Sequence, residues 1–237
     1  MRKTLIFCLL PITLHATDKT ALKSVEWSGE GELGFTATSG NSASESWNTS
    51  INLSRETLQW KHSASIDSIK VKSEDVTSTD SFVFKEKSEF KLSKKSFLFG
   101  QLKYEDDKFS GFESQSFFAF GVGSSLINNN QHLLKASTGI GYRNIKSSTT
   151  LETNRDTIHI AFISYQNKFS DSVTFNQSIS IDSGSENTST ESDTELKTRI
   201  NGSLATKINF QIKRNSAAPL GTEKIDRVTV FSFVFGF

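Results

Sequence analysis

The sequence predicts an all-β fold, a transmembrane antiparallel up-and-down β-barrel of about 12 strands. Three observations carry that expectation: apolar and polar residues alternate with period two along most of the chain, no helical periodicity interrupts them, and a chain of negative mean hydropathy is rich in aromatics. Hydrophobic residues make up 35% and aromatics 11%, with 20 Phe. A water-soluble domain ordinarily draws on about 45–50% apolar residues, glycine included. One thin apolar layer with aromatic rings, wrapped around a polar interior, reconciles these figures.

The first element is a leader. Arg2 and Lys3 precede the apolar run Leu5 to Ile12, and small Ala16 follows. This order predicts a secretory signal peptide over residues 1–16 and a barrel over 17–237. The apolar run is far shorter than the roughly 20 residues a spanning helix needs. Cys8 is the only cysteine and falls in the leader, so no disulfide is expected in the mature chain.

The strands follow in order. Val25, Trp27, Gly29, Gly31, Leu33, Phe35 and Ala37 fall on one face, opposed by Glu26, Ser28, Glu30, Glu32 and Thr36. After Ser39-Gly40-Asn41 come Trp47, Thr49, Ile51 and Leu53, then, past a break at Arg55-Glu56-Thr57, Leu58, Trp60, His62, Ala64 and Ile66. The polar stretch Ser68 to Ser78 reads as a longer loop before Phe82, Phe84, Phe90 and Leu92. Leu98, Leu102 and Tyr104 start the next strand, ended by Glu105-Asp106-Asp107-Lys108, and Phe112, Phe118, Phe120 and Val122 carry a sixth. Asn128-Asn129-Asn130 turns the chain. The remaining strands are Leu134 to Arg143, Ile158 to Lys168, Val173 to Ile181, Leu196 to Leu204, Ile208 to Arg214 and Ile225 to Phe237. Loops are expected over Ser147 to Asn154, Ser183 to Thr190 and through Pro219 and Gly221.

Connections alternate in kind. Those near Arg55, Lys94, Asn129, Asp171 and Ala205 are short, and most of those near Asn41, Asp75, Lys108, Ser148, Glu186 and Pro219 are longer, as short periplasmic turns and longer outer loops would be. Strands of about 10 or more residues suit a tilted membrane crossing, whereas soluble strands average about 5 or 6. Closure removes the two sheet edges, which hydrocarbon could not solvate. Trp27, Leu33, Phe35, Trp47, Leu53, Phe82, Phe84, Ile208, Phe210, Ile212, Phe231 and Phe233 then face lipid. Trp27, Trp47, Trp60, Tyr104, Tyr142 and Tyr165 are candidates for interfacial girdles or for packing.

The polar face would line the lumen. Its expected charged residues are Glu30, Glu32, Lys61, Lys85, Lys87, Glu89, Lys103, Glu113, Arg143, Glu195, Lys197 and Arg199, with signs roughly balanced. A single-sign ring would favour the opposite ion. The mixture points to a narrow, weakly selective pore or to a lumen closed by ion pairs. The net charge of +1 gives no basic excess for nucleic acid. No catalytic constellation, cofactor motif or metal-ligand cluster stands out: His62, His132 and His159 are scattered, and Glu105-Asp106-Asp107 reads as a solvated acidic patch.

Trp27-Ser28-Gly29-Glu30-Gly31-Glu32-Leu33-Gly34, the following Ser39-Gly40-Asn41, Tyr104-Glu105-Asp106-Asp107-Lys108-Phe109, Gly139-Ile140-Gly141-Tyr142-Arg143, and Pro219, Gly221, Lys224 and Asp226 before the last strand resemble the YdiY-like salt-induced outer-membrane proteins, a family with a domain of unknown function. The resemblance covers nearly the whole mature chain and implies a barrel in the cell outer membrane with an open biochemical role. It departs at Asp106-Asp107, where the family commonly carries an arginine. The final Phe231, Phe233, Phe235 and Phe237 resemble the C-terminal signal read by the barrel-assembly machinery, with Phe237 as its terminal residue. The expected partners are therefore outer-membrane lipid, that machinery and a small polar solute. Two roles stay open: a narrow channel for small polar solutes, or a structural or stress-related envelope protein with a closed lumen and binding outer loops.

Overall fold

The computed structural model describes residues 25–38, 44–73, 76–107, 112–147, 152–217 and 224–237. The expected leader, residues 1–16, and the connections at Asn41, Asp75, Lys108, Ser148 and Pro219 lie outside the described residues. Twelve strands follow one another: β1 (Glu26–Thr38), β2 (Ser44–Glu56), β3 (Trp60–Ser73), β4 (Val76–Lys91), β5 (Ser96–Asp107), β6 (Phe112–Asn128), β7 (His132–Ser147), β8 (Thr153–Lys168), β9 (Val173–Ser183), β10 (Thr188–Arg199), β11 (Leu204–Asn215) and β12 (Ile225–Gly236). Each pairs antiparallel with the next, and β1 pairs with β12 to close the barrel. The strands run from 11 to 17 residues, well beyond the length of about 5 or 6 usual in soluble sheets.

One rim carries the start of β1, the C-terminal Phe237 and five short turns, and we call it the terminal rim; the opposite one is the loop rim. All five turns use one device. Thr57, Ser93, Asn129, Ser170 and Asn201 each accept, through a side-chain oxygen, the backbone N–H three residues on. Such side chains mimic a backbone turn and leave no donor unpaired where the strand restarts.

Several expected boundaries shift. The stretch Ser68 to Ser78 is strand for most of its length: β3 runs to Ser73 and β4 starts at Val76. Outward Lys70 and Lys72 are exposed there, so this hairpin passes beyond the apolar belt, where both faces meet water and the alternation fades. The β9–β10 connection is 184–187 rather than Ser183 to Thr190, because Thr190, Ser192 and Thr194 take the outward positions of β10. Gln177 pairs with Ser192 at 3.1 Å and with Thr194 at 2.6 Å, which satisfies these polar groups on the wall. The next turn sits at 200–203, where Asn201 can cap it, and Ala205 is buried in β11. β2 continues through Glu56, one residue short of the capping Thr57.

The faces divide as the alternation requires. Trp27, Leu33, Phe35, Trp47, Leu53, Phe82, Ile208, Phe210, Phe231 and Phe233 are exposed, and Phe84 and Ile212 are half-buried. Trp27, Trp60 and Tyr165 stand outward near the terminal rim, and Trp47, Tyr104 and Tyr142 near the loop rim. The tryptophans and tyrosines thus form two belts with an apolar band of aliphatic and phenylalanine side chains between them.

One part of the interior is apolar, which the alternation did not announce. Phe97 and Phe99 of β5, Phe117 and Ala119 of β6, and Ile158 and Ile160 of β8 form a buried lumenal cluster. Glycines make the room: a Cβ at Gly123 would lie 2.2 Å from the Phe97 ring, and one at Gly121 would lie 2.9 Å from that of Phe99. The sequence sign was the pairing of like residues on both faces at Phe97-Leu98-Phe99 and Phe117-Phe118, where a half-polar wall would alternate.

At the seam, outward Gly29 faces Phe237. Their backbones exchange two hydrogen bonds of 2.9 Å, and the Phe237 ring occupies the space a Cβ on Gly29 would take, 2.3 Å away. An aromatic lying over a strand glycine restores the packing the glycine lacks. Phe237→Ala is expected to lower the folded fraction by weakening closure, read as loss of the heat-modifiable band on a gel.

Candidate functional site

Two cavities lie along the barrel axis. The one toward the loop rim has a volume of about 460 Å³ and the one toward the terminal rim about 500 Å³. Lys85, Lys103, Glu191 and Asp193 border both. They form the partition.

The partition is built from strands on opposite walls. In a ring of twelve, β4 faces β10 and β5 faces β11. Lys85 Nζ of β4 lies 3.5 Å from Glu191 Oε1 of β10. Lys103 Nζ of β5 lies 3.0 Å from Glu105 Oε2 and 3.7 Å from Glu191 Oε2. Lys213 of β11 reaches across to donate to Glu105 Oε1. Gln115 donates to Glu105 at 3.0 Å, while Gln211 donates to Glu191 at 2.9 Å and to Asp193 at 3.1 Å. Lys103 and Glu105 are 9% and 3% exposed, so the attraction acts largely out of bulk water. Burying such charges is tolerable because each finds several partners. The arrangement links opposite walls of the barrel where the two cavities adjoin.

Further pairs brace the belt from both sides. Glu32 binds Lys207 and accepts from Ser232 at 2.6 Å and Asn48 at 3.0 Å. Glu30 binds Lys197. Nearer the terminal rim, Glu89 lies 3.2 Å from Lys87 and 3.3 Å from Lys135, and Lys91 lies 2.5 Å from Glu56. The Lys87 ammonium also sits 4.8 Å from the Phe99 ring centroid and 5.4 Å from that of Phe162, a cation–π contact that ties the charged wall to the apolar one.

At the loop rim a different lock operates. Arg143 Nε and Nη2 grip Asp156 at 3.1 and 2.8 Å, and Nη2 also donates 2.6 Å to the Asn187 carbonyl. β8 pairs with β9 only from His159 to Lys168, so the part of β8 around Asp156 has no β9 neighbour. The 184–187 connection fills that place. Gly184 makes this possible, since a Cβ there would lie 2.1 Å from Asp156 Oδ2. Asn187 is tied to β11 as well, donating to Asn215 at 3.0 Å.

Of the charged residues expected in the lumen, Glu30, Glu32, Lys61, Lys85, Lys87, Lys103 and Glu195 border a cavity, and Glu89 and Lys197 are held in ion pairs of the inner face. Arg143 is enclosed in its own lock, and Arg199 is exposed at the terminal rim. Glu113 does not line the lumen. It is the extra residue of a bulge in β6, and it pairs at 2.7 Å with Lys146, which has the outward parity of Ile140 and Tyr142. Glu105 is a hub rather than part of a solvated patch; the alternation from Lys103 continues through it. Lys207, Asp156 and Asn187 were not singled out from sequence. The three histidines lie on outward faces: His62 stacks on Trp60, His132 bonds Tyr165 at 2.8 Å, and His159 is exposed.

Residues 31–237 match the model of the family described as "Protein of unknown function, DUF481". The chain belongs to this DUF481 family. The DUF481 chain is also 26% identical over 218 residues to the uncharacterized protein YdiY of Escherichia coli K12, covering 91% of this chain and 85% of that protein. This is the relationship that the Gly139–Arg143 and Trp27–Gly34 segments implied. Among solved structures, the DUF481 barrel is similar to the COG4313 outer membrane channel from Pseudomonas putida F1, with a TM-score of 0.55, 8% identity, and 95% and 100% of the two chains covered. The translocator domain of the autotransporter NalP from Neisseria meningitidis gives 0.53 at 10% identity, covering 91% and 89%. The NanC porin gives 0.51 at 10% identity, covering 89% and 98%. At these identities the likeness is one of fold, and the fold is that of outer-membrane barrels.

Proposed function

We propose that this DUF481 barrel stands in a bacterial outer membrane with its terminal rim toward the periplasm, and that it is a narrow, weakly selective path for small polar solutes closed at rest by the ion-pair belt. Removal of residues 1–16 as a leader and delivery by the barrel-assembly machinery through the strand ending in Phe237 belong to the same reading. The outward apolar band between two aromatic belts supports the membrane placement. The belt supports the closed path: a mainly polar cavity and a more apolar one adjoin along the axis, with the charged side chains of the belt between them.

Glu105→Gln/Glu191→Gln tests it. The change removes two of the carboxylates that hold Lys85, Lys103 and Lys213 and leaves positive charge in excess at the belt, so repulsion among the lysines should part the walls and draw in water and anions. In planar bilayers the native barrel is expected to show little conductance. The double variant should conduct steadily, in proportion to salt, with a reversal potential shifted toward anion preference. A variant as silent as the native protein at matched insertion would instead favour the envelope role with a permanently closed lumen.

A further inference from the structure

The charges around the cavity toward the loop rim do not come out even. Seven carboxylates and five cations border it. Its four lysines are all committed: Lys85 to Glu191, Lys103 to Glu105 and Glu191, Lys207 to Glu32 and Glu195, and Lys213 to Glu105. The fifth cation, Arg227, is exposed and has the outward parity of Phe231 and Phe233. Asp67 of β3 and Asp193 of β10 are left over. Asp67 accepts from Ser50 Oγ at 2.6 Å and from Ser65 Oγ at 3.2 Å, and Asp193 accepts from Gln211 Nε2 at 3.1 Å. Among the described residues no cation lies within ion-pair distance of either carboxylate.

Neutral donors steady a carboxylate without cancelling its charge, so both keep a negative field. They approach the cavity from different sides of the ring: Asp67 stands beside β4, opposite Val83 in the ladder, and Asp193 is on β10, the strand that faces β4. A cleft with one sign in excess, walled by protein of low dielectric, concentrates ions of the other sign. An arriving anion finds no uncommitted lysine, whereas an arriving cation finds two carboxylates with neutral partners only.

The chemistry of the border says which cation fits. Among the described residues no three side chains of His, Cys, Asp and Glu stand close enough together to hold a metal ion. An ammonium group asks for less, since its three N–H donors can be shared between one carboxylate and amide or hydroxyl oxygens. Asn48, Asn52 and Asn209 border the same cavity and supply such oxygens. The apolar wall beyond the belt takes ammonium groups too: Lys87 Nζ lies 4.8 Å from the Phe99 ring centroid, and Lys135 Nζ 5.5 Å from that of Phe97.

We infer that the loop-rim cavity admits small organic ammonium ions in preference to anions of the same size, with Asp67 and Asp193 setting the sign. The inference rests on the proposed solute path and names the class of solute that it takes.

The test is the rate at which two methanethiosulfonates of like size and opposite charge modify one cysteine in the cavity. Val83 borders the cavity, and a cysteine there leaves the donors to both carboxylates in place. In a Cys8→Ser/Val83→Cys barrel in detergent, the aminoethyl reagent is expected to react about tenfold faster than the sulfonatoethyl reagent, each rate being divided by that with free cysteine. Added salt should shrink the ratio. Asp67→Asn in that background should lower it in part, and Asp67→Asn/Asp193→Asn should bring it close to one in barrels that keep the heat-modifiable band. Equal or inverted rates in the barrel with both aspartates would overturn the preference. A ratio unchanged by the double substitution would overturn the assignment to these two carboxylates, and no modification by either reagent would overturn the entry of solutes. Failure of conduction is a separate result: Glu105→Gln/Glu191→Gln silent in bilayers would remove the path and leave the rate ratio as it is.

Discussion

Arg143→Met is expected to destabilise the barrel by about 3–5 kcal/mol, the range for removing one partner of a buried ion pair. The change strands the Asp156 carboxylate, which is 3% exposed and, among the described residues, otherwise accepts from the Glu186 amide at 3.3 Å. It also frees the Asn187 carbonyl, so the 184–187 connection loses its anchor on β7. Arg143→Met/Asp156→Leu should recover most of the loss, because an apolar pair of similar volume leaves no charge unpaired. Urea titration of the heat-modifiable form measures both. A single variant as stable as the native barrel would show that the pair contributes nothing to the fold.

Gly139→Val should be at least as damaging, and by a different route. A Cβ at Gly139 would lie 2.3 Å from the Phe120 carbonyl oxygen and 3.0 Å from the Gly121 Cα, so the collision is with backbone and no side-chain rotation relieves it. Overpacking a core costs about 1–3 kcal/mol when side chains can adjust, and here the β6–β7 ladder itself must move. Little folded barrel is expected in a refolding assay. Gly31→Val is the control, since nothing stands within 4 Å of a Cβ there, and it should refold normally.

The barrel was legible because its physics is written residue by residue. Period-two alternation assigns a face locally, and Trp27 to Phe35 or Phe231 to Phe237 need no knowledge of the rest of the chain. Turn chemistry was partly legible: Ser93 and Asn129 lie in polar breaks, whereas Asn201 was hidden inside an apparent strand from Leu196 to Leu204. Loop-rim boundaries were misplaced where strands leave the apolar band, as at Lys70 and Lys72, or carry hydroxyls outward, as at Thr190 to Thr194. Of the partition, the mixed charges of the inner face and a lumen closed by ion pairs were legible, but the pairings were not. Alternation places Glu105 and Lys213 on the inner face, but their meeting depends on closure bringing β5 opposite β11, which no local pattern encodes. The same holds for Arg143 and Asn187, joined only because β9 ends below the top of β8.

The belt is tested most directly by sided cysteine labelling. Cys8 is the one cysteine of the sequence, so in a Cys8→Ser background single cysteines at Asn48 or Asn209, beside the loop-rim cavity, and at Ser63 or Ser180, beside the other, report cleanly. A membrane-impermeant maleimide applied from the loop-rim side should label the first pair and spare the second, and Glu105→Gln/Glu191→Gln should let it reach both. Labelling of Ser63→Cys and Ser180→Cys from that side in the otherwise native barrel would contradict the account, because the two cavities would then already be one continuous pore.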